Sequence, residues 1–313
     1  MHTKIKYSIV MPACNSEDIV GTTIVKTLNF CREQKLDFEF VVVEDGSRDH
    51  TWDKIRSLAE KNKEIIAVSL LKNYGQHTAV YCGFGHASGD FVITMDDDMQ
   101  NPPEEIIHLI RKADEGYDAV FGKFRKKRHH PIRRLGSKVI GYLNARIFGK
   151  PEEVTLSNFR IIRRDVIQRI LEYKTNYPYI PGLVLMFSGR IANVDVEHHE
   201  RAAGKSNYGV LMIAQVVSRI LFNYSSYPLR LFSIVSFVVS FISLVAGCAF
   251  LAKKLLIGAA VPGWTSLAVI ISFSNCLISA MLGMLGEYMG RLINQTSSSR
   301  GYYIKEVVTR DPK

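Results

Sequence analysis

The sequence predicts an α/β domain built on a mostly parallel sheet, followed by a hairpin of two membrane-spanning helices. Three observations lead there. Across residues 1–206, short apolar runs alternate with helix-period patterns, the signature of strand–helix–strand units. Two uncharged stretches follow, 231–252 and 264–286, and at 1.5 Å per residue each covers roughly 33 Å, enough to cross a hydrocarbon core. The 313 residues are 47% hydrophobic and 22% charged, with 22 Gly and 10 Pro. That composition excludes a disordered chain, a collagen-like repeat and a small disulfide scaffold.

The first strand is expected at Tyr7–Met11, stopped by Pro12, and the second at Phe38–Val43, stopped by Glu44-Asp45-Gly46-Ser47. Ile65–Leu71, Phe91–Met95 and Ala119–Gly122 follow as the third, fourth and fifth. Helical spacing recurs at Ile19–Glu33, Thr51–Lys61, His77–Ala87 and Pro103–Asp114. Asp49 and Thr51 suit a helix cap, and Pro102-Pro103 with Glu104-Glu105 suits a first helical turn. In such sheets ligands bind beyond the carboxyl ends of the strands. Asp45 and Asp96–Asp98 both stand at such ends.

Three consecutive carboxylates repel one another unless something positive meets them. In an extended chain Asp96 and Asp98 point the same way, an arrangement suited to a divalent ion that prefers hard oxygen ligands, Mg2+ or Mn2+. The five cysteines (Cys14, Cys31, Cys82, Cys248 and Cys276) are odd in number, scattered and without a Cys-x-x-Cys pair. They argue against a disulfide framework or a zinc site and fit a reducing compartment.

The formal charge is +10, and a basic run from Lys123 to Arg134 follows the fifth strand. A diphosphate or lipid-phosphate clamp, attraction to anionic headgroups, and nucleic-acid binding all use such a run. No aromatic platform interleaves it, so no nucleic-acid partner is expected.

The expected domains are 1–206, an amphipathic interfacial helix at 207–228, the two spans within 229–290, and a cytosolic tail at 291–313. Arg219 and Arg230 before the spans, and Arg291, Arg300 and Lys305 after them, outweigh Lys253 and Lys254 between them. The positive-inside bias therefore places both ends in the cytoplasm, as for a multi-pass protein of the cytoplasmic membrane. The apolar run Ser8–Ala13 is too short for a signal peptide. Ser279, Gly283 and Gly286 suit helix packing, and Tyr302–Val308 reads as a strand reaching a neighbouring subunit.

Ser8–Asn15, Val43–Ser47 with Asp49, and Gly89–Pro103 resemble the family-2 glycosyltransferases of the Rossmann-like GT-A fold. Within them the chain looks like the polyprenyl-phosphate branch: the undecaprenyl-phosphate aminoarabinose transferases and bactoprenol glucosyltransferases, and more distantly dolichol-phosphate mannose synthase. Asn73-Tyr74-Gly75-Gln76-His77 and the run Asp96 to Glu105 are the most specific pieces. Ser157–Arg164, His199–Tyr208, Tyr227–Leu231 and Gly286–Arg291 extend the likeness over nearly the whole chain.

The resemblance implies a nucleotide-sugar donor, a polyprenyl phosphate acceptor, a divalent metal and a homo-oligomer, tetrameric in relatives. It implies that Asp45 and Pro12 meet the nucleotide base, with Glu17 assisting, and that Asp96 and Asp97 lie by the ribose and diphosphate. Asp98 would ligate the metal, helped by Gln100, while Arg125, Arg133, Ser137 and Arg201 match positions that hold the donor diphosphate or lipid phosphate. Catalysis is assigned to Asp96, Asp98 and Asn158.

There are departures. Relatives usually carry Tyr at the position of Cys14, Glu at Ser16 and, often, Asp at Asn158. Asparagine is no base, but a phosphate monoester with a second pKa of about 6 is already largely dianionic and needs orientation more than deprotonation. The expected reaction is inverting transfer of one sugar to the lipid phosphate at the cytoplasmic membrane face, for cell-envelope glycan or lipopolysaccharide modification.

Three alternatives compete. A processive polysaccharide synthase would carry Gln-x-x-Arg-Trp, whereas the two tryptophans here are Trp52 and Trp264, outside any such motif. A non-catalytic membrane adaptor would release no nucleotide. A dinucleotide oxidoreductase would show Gly-x-Gly-x-x-Gly after the first strand.

Overall fold

The computed structural model describes residues 5–124, 131–173, 175, 177–197, 263–296 and 301–310, with scattered positions between 217 and 256. The chain divides into two compact units, Met1–Ala214 with Ser299–Lys313, and Gln215–Ser298.

Strands β1 (Lys6–Ala13), β2 (Asp37–Glu44), β3 (Ile65–Leu70) and β4 (Phe91–Thr94) form the centre of an eight-stranded sheet in the first unit. Their runs of Val, Ile and Phe are buried on both faces, as a parallel sheet covered by helices requires. β1 lies between β2 and β4 and parallel to both, and β3 extends the sheet beyond β2. The chain thus steps outward through β2 and β3, then returns to the other side of β1. In sheets of this kind ligands bind at such a reversal, here beyond the carboxyl ends of β1 and β4.

Helices α1 (Val20–Glu33), α2 (Thr51–Lys61), α3 (Gln76–His86) and α4 (Ile106–Ala113, entered through a 3-10 turn at Pro103–Glu105) make the connections. These eight elements, and β5 (Ala119–Phe124), fall within a few residues of the spans expected from periodicity. α3 rides close on the sheet: a Cβ at Gly83 would stand 2.4 Å from Val10 Cγ1. At the opposite end of the strands, buried Glu39 accepts from Ser8 Oγ and Lys6 Nζ, both at 2.6 Å, and from Ser88. Burial pushes its carboxyl up, but these hydrogen bonds together carry it below the usual range.

Periodicity misses the elements after β5: α5 (Pro131–Phe148), β6 (Arg160–Arg163), α6 (Arg164–Glu172), α7 (Ile180–Phe187) and β7 (Ile191–Val196). β6 wedges antiparallel between β4 and β5, and β7 pairs parallel with β5. Four of the seven strand pairings among the described residues are parallel, so the sheet is mixed at its margins.

The tail forms strand β8 (Ile304–Thr309), as expected of Tyr302–Val308, and pairs antiparallel with β3 of its own chain at the end of the sheet. Leu71 N–H donates to the Tyr303 carbonyl at 2.9 Å, and Trp52 Nε1 to Glu306 Oε2 at 3.3 Å. The physical reason is that β3 would otherwise present an unpaired edge.

In the second unit, α8 (Trp264–Thr296) has 33 residues and contains the second expected span whole. Of the first expected span and of 207–228 only scattered positions are described, among them Ile220, Leu231, Ile234 and Phe241, all helical. Among the described residues no helix is long and apolar enough to cross a membrane.

Candidate active site

Four loops meet at the carboxyl ends of the central strands: Cys14–Asn15 after β1, Asp45–Ser47 after β2, Asn73–Gly75 after β3 and Asp96–Gln100 after β4. Cys14 Sγ accepts from Asn73 Nδ2 at 3.1 Å, and Asn15 Oδ1 accepts from Arg48 N–H at 2.9 Å. Asn15 (φ 49°) and Met99 (φ 58°) are two of the three non-glycine residues with left-handed backbone among the described residues. Asn tolerates that region, whereas Met is strained there, and such strain collects at functional loops.

Asp45 is 2% exposed, and its two carboxylate oxygens accept the backbone N–H groups of Tyr74 (2.7 Å) and Gly75 (2.8 Å). Burial pushes its carboxyl up, and those two donors pull it back. Gly46, at φ 61°, lets the two loops touch: a Cβ there would lie 2.3 Å from Asn73 N. Pro12, buried in β1, stands opposite Val43. Glu17 Oε2 accepts from His50 N–H at 2.9 Å, which ties the β1–α1 loop to the start of α2.

Asp96 is differently placed. Its carboxylate meets only side-chain amides in the described contacts, Gln76 Nε2 at 2.6 Å and Asn158 Nδ2 at 3.4 Å. Burial, then the charges of Asp98 and Asp97, push it up to about 6. Asp97 is also raised, chiefly by burial, and its carbonyl accepts from Thr23 Oγ1 at 3.0 Å. Asp98 Oδ1 accepts from Gln100 N–H at 3.2 Å, which folds the loop back on itself.

Behind Asp96 stands Arg160, which is 1% exposed. Its Nε donates to Thr94 Oγ1 at 3.1 Å, and its guanidinium lies 5.8 Å from the Phe121 ring centre. The Thr94 hydroxyl donates in turn to the Asn158 carbonyl. His77 lies edge-on to Tyr179, whose hydroxyl receives Asn144 Nδ2 at 3.0 Å.

The structure thus gathers Pro12, Asp45, Asp96, Asp97, Asp98, Gln100 and Asn158 on one rim of the sheet. Arg125 and Arg201 lie outside the described residues; Arg133 and Ser137 fall in α5, and their side chains lie outside them too. Gln76, Thr94 and Arg160 carry roles that reading the sequence left unassigned. All three lie in runs that carry the resemblance, Asn73–His77, Gly89–Pro103 and Ser157–Arg164, but the meeting of Thr94 with Arg160 emerges only through strand pairing.

Among the described residues no group of three or more His, Cys, Asp or Glu side chains is arranged to hold a metal alone. The donors present nonetheless suit a hard cation that shares its shell with a ligand. Asp98 and Gln100 offer oxygens, and Asn101 is 3% exposed with its buried Oδ1 lacking a hydrogen-bond partner among the described residues.

The sequence pattern of "Glycosyl transferase family 2" matches residues 8–171. Undecaprenyl-phosphate 4-deoxy-4-formamido-L-arabinose transferase of Proteus mirabilis is 33% identical over 307 residues, 97% of this chain and 94% of the relative. The protein of the same name from Edwardsiella ictaluri is 35% identical over 309 residues, 96% and 94% of the two chains. In fold, the chain is similar to glucosyl-3-phosphoglycerate synthase of Mycobacterium tuberculosis, crystallised with Mn2+, UDP and phosphoglyceric acid. The TM-score is 0.52 at 18% identity, over 69% of this chain and 76% of that one.

Proposed function

The chain belongs to glycosyl transferase family 2, and from that premise we propose that it moves one sugar from a nucleotide diphosphate sugar, UDP-linked, to undecaprenyl phosphate at the cytoplasmic face of the membrane. The observation that carries this reading is the Asp96–Gln100 loop, set just past the carboxyl end of β4, beside β1, at the reversal of strand order where an α/β sheet receives its ligand. The near full-length likeness to transferases named for undecaprenyl phosphate supports the acceptor.

A phosphate oxygen of the lipid attacks the anomeric carbon on the face opposite the leaving diphosphate. The new C–O bond forms as the old one breaks, and the configuration inverts. Asp45 and Pro12 bound the pocket for the base, and Asp96 lies by the ribose and diphosphate. Asn158, beside Asp96, orients the acceptor or a sugar hydroxyl; no proton need leave a phosphate that is already dianionic. Asp98 and Gln100 would hold a divalent ion, Mg2+ or Mn2+, which would supply charge neutralisation on the leaving group. Crystals of the fold relative that contain Mn2+ or Mg2+ with UDP support that choice. Arg125, Arg133 and Arg201 offset the charges of two approaching anions, and Ser137 donates a hydrogen bond to a phosphate oxygen.

Membrane attachment is part of the reading. Of the 27 large apolar residues that are exposed among the described residues, 17 lie in the second unit, including Leu267, Ile271, Phe273, Leu282 and Leu285 on α8. A helix that turns such a row to its surroundings suits lipid better than water.

Purified full-length chain, undecaprenyl phosphate and a panel of nucleotide sugars test the proposal. One nucleotide sugar should give a lipid whose mass rises by a single sugar, with equimolar nucleotide released. A ladder of masses would instead mark a polymerase, and no product from any donor would overturn the reading.

A further inference from the structure

We propose that Arg160 is a positioning residue for transfer: through the Thr94 hydroxyl it fixes the backbone of Asn158, and so aims the Asn158 amide at Asp96. This rests on the transferase reading above and adds to it a residue outside the reacting groups.

A buried arginine is expensive to keep. Arg160 opens β6 directly opposite Thr94 of β4 and is 1% exposed. A guanidinium taken out of water loses several kcal/mol of hydration unless its donors are met. Nε is met by Thr94 Oγ1 at 3.1 Å, and the ring of Phe121 lies 5.8 Å from the guanidinium carbon. Nη1 is buried and has no hydrogen-bond partner among the described residues. An apolar side chain of similar length would fill the same space at lower cost, so packing alone does not explain the residue.

The chemistry of the hydroxyl explains it. Threonine carries one hydrogen and two lone pairs, while arginine only donates. Because Arg160 occupies a lone pair of Thr94 Oγ1, the single hydroxyl hydrogen is directed elsewhere, and it goes to the carbonyl of Asn158. Arg160 thereby determines which way the Thr94 hydroxyl points and holds the Asn158 backbone at the end of the 149–159 connection. From that backbone the side-chain amide reaches Asp96 Oδ2 at 3.4 Å, a long contact of the kind that shortens when a ligand closes the site. The charges of Arg160 and Asp96 also attract through space, along the same direction.

The test uses full-length protein with Arg160→Met, Arg160→Lys and Thr94→Val, each checked for folding by thermal melting. Hydrogen exchange of residues 152–159 and steady-state transfer are the readouts. Arg160→Met and Thr94→Val should lower kcat roughly 10- to 100-fold, the scale of a small misplacement, with donor KM changed less than about threefold. Exchange should rise in 152–159 and not across β1–β3. Arg160→Lys, which keeps a buried donor, should recover part of kcat. The inference is overturned if a folded Arg160→Met or Thr94→Val keeps kcat within about twofold of the parent. It is equally overturned if exchange rises uniformly, which would mark a merely structural residue. If Arg160→Met does not fold, Thr94→Val decides alone. An inactive parent chain would count against the transferase reading, whereas the exchange pattern would still judge the Arg160–Thr94–Asn158 chain.

Discussion

Asp45 and Asp96 occupy corresponding places, one at the end of β2 and the other just past the end of β4, yet the fold treats them oppositely. Asp45 receives two backbone N–H groups, at 2.7 and 2.8 Å, from the β3–α3 loop. Burial still leaves its carboxyl raised, but both of its oxygens are met by the chain's own backbone. Asp96 receives two side-chain amides, one of them at 3.4 Å, and sits against two further aspartates. Its charge is left in partial want, and its carboxyl rises to about 6. Asp45 ties two loops together at the edge of the proposed base pocket, whereas Asp96, met by movable side chains, keeps more of its capacity for a ligand.

Three experiments sharpen or break that contrast. The largest effect is expected at the next carboxylate along. Asp98→Ala should cut the rate of lipid-linked sugar formation by about 100-fold or more, as loss of a charge-stabilising group at a reacting centre does. It should leave the melting temperature nearly unchanged. Full transfer by this variant would overturn the proposed metal role of Asp98.

Asp45→Ala should act in the other currency, stability. It leaves two half-buried N–H groups without their acceptor, at about 1 kcal/mol each, so unfolding in urea should shift to lower concentration by a matching amount. Asp45→Asn, which keeps one acceptor oxygen, should fall between the two. An unchanged midpoint for Asp45→Ala would mean that the loop does not depend on this carboxylate.

The smallest effect is a pH dependence of the ligand-free protein. A carboxyl raised above its ordinary value contributes stability that is fully present below that ordinary value, and it is lost as pH rises through about 6. Ionised Asp96 therefore burdens the fold at neutral pH. Asp96→Asn should melt a few degrees higher than the parent at pH 7.5, and the gap should close as pH falls from about 6 toward 4. A gap that does not change with pH would assign the difference to packing rather than to charge.

The central strands were legible because parallel strands buried on both faces are continuous apolar runs; Val41–Val43 admit no other reading. The acidic rim was legible because three adjacent carboxylates at a strand end are anomalous without a cation. Elements beyond β5 were not. β6 reads Arg-Ile-Ile-Arg, four residues with charges at both ends, and periodicity has nothing to grip in so short a segment. The destination of Tyr302–Val308 was illegible for another reason: a strand's own sequence names no partner, and the unpaired edge of β3 supplied one. Arg160 was hidden in the same way, since an arginine in a strand reads as exposed until its neighbour across the sheet is known.

Local chemistry written along the chain determined which residues form strands and helices, where acids cluster, and that 264–286 is a long uncharged helix. Only the tertiary structure decided what each polar group meets. It set Asp45 on backbone N–H groups, Asp96 on amides, Thr94 between Arg160 and Asn158, and the tail strand against β3. The physical reason is range: propensity and periodicity act over a few neighbouring residues, whereas these hydrogen bonds join atoms 20 to more than 200 positions apart, brought together by burial of the sheet.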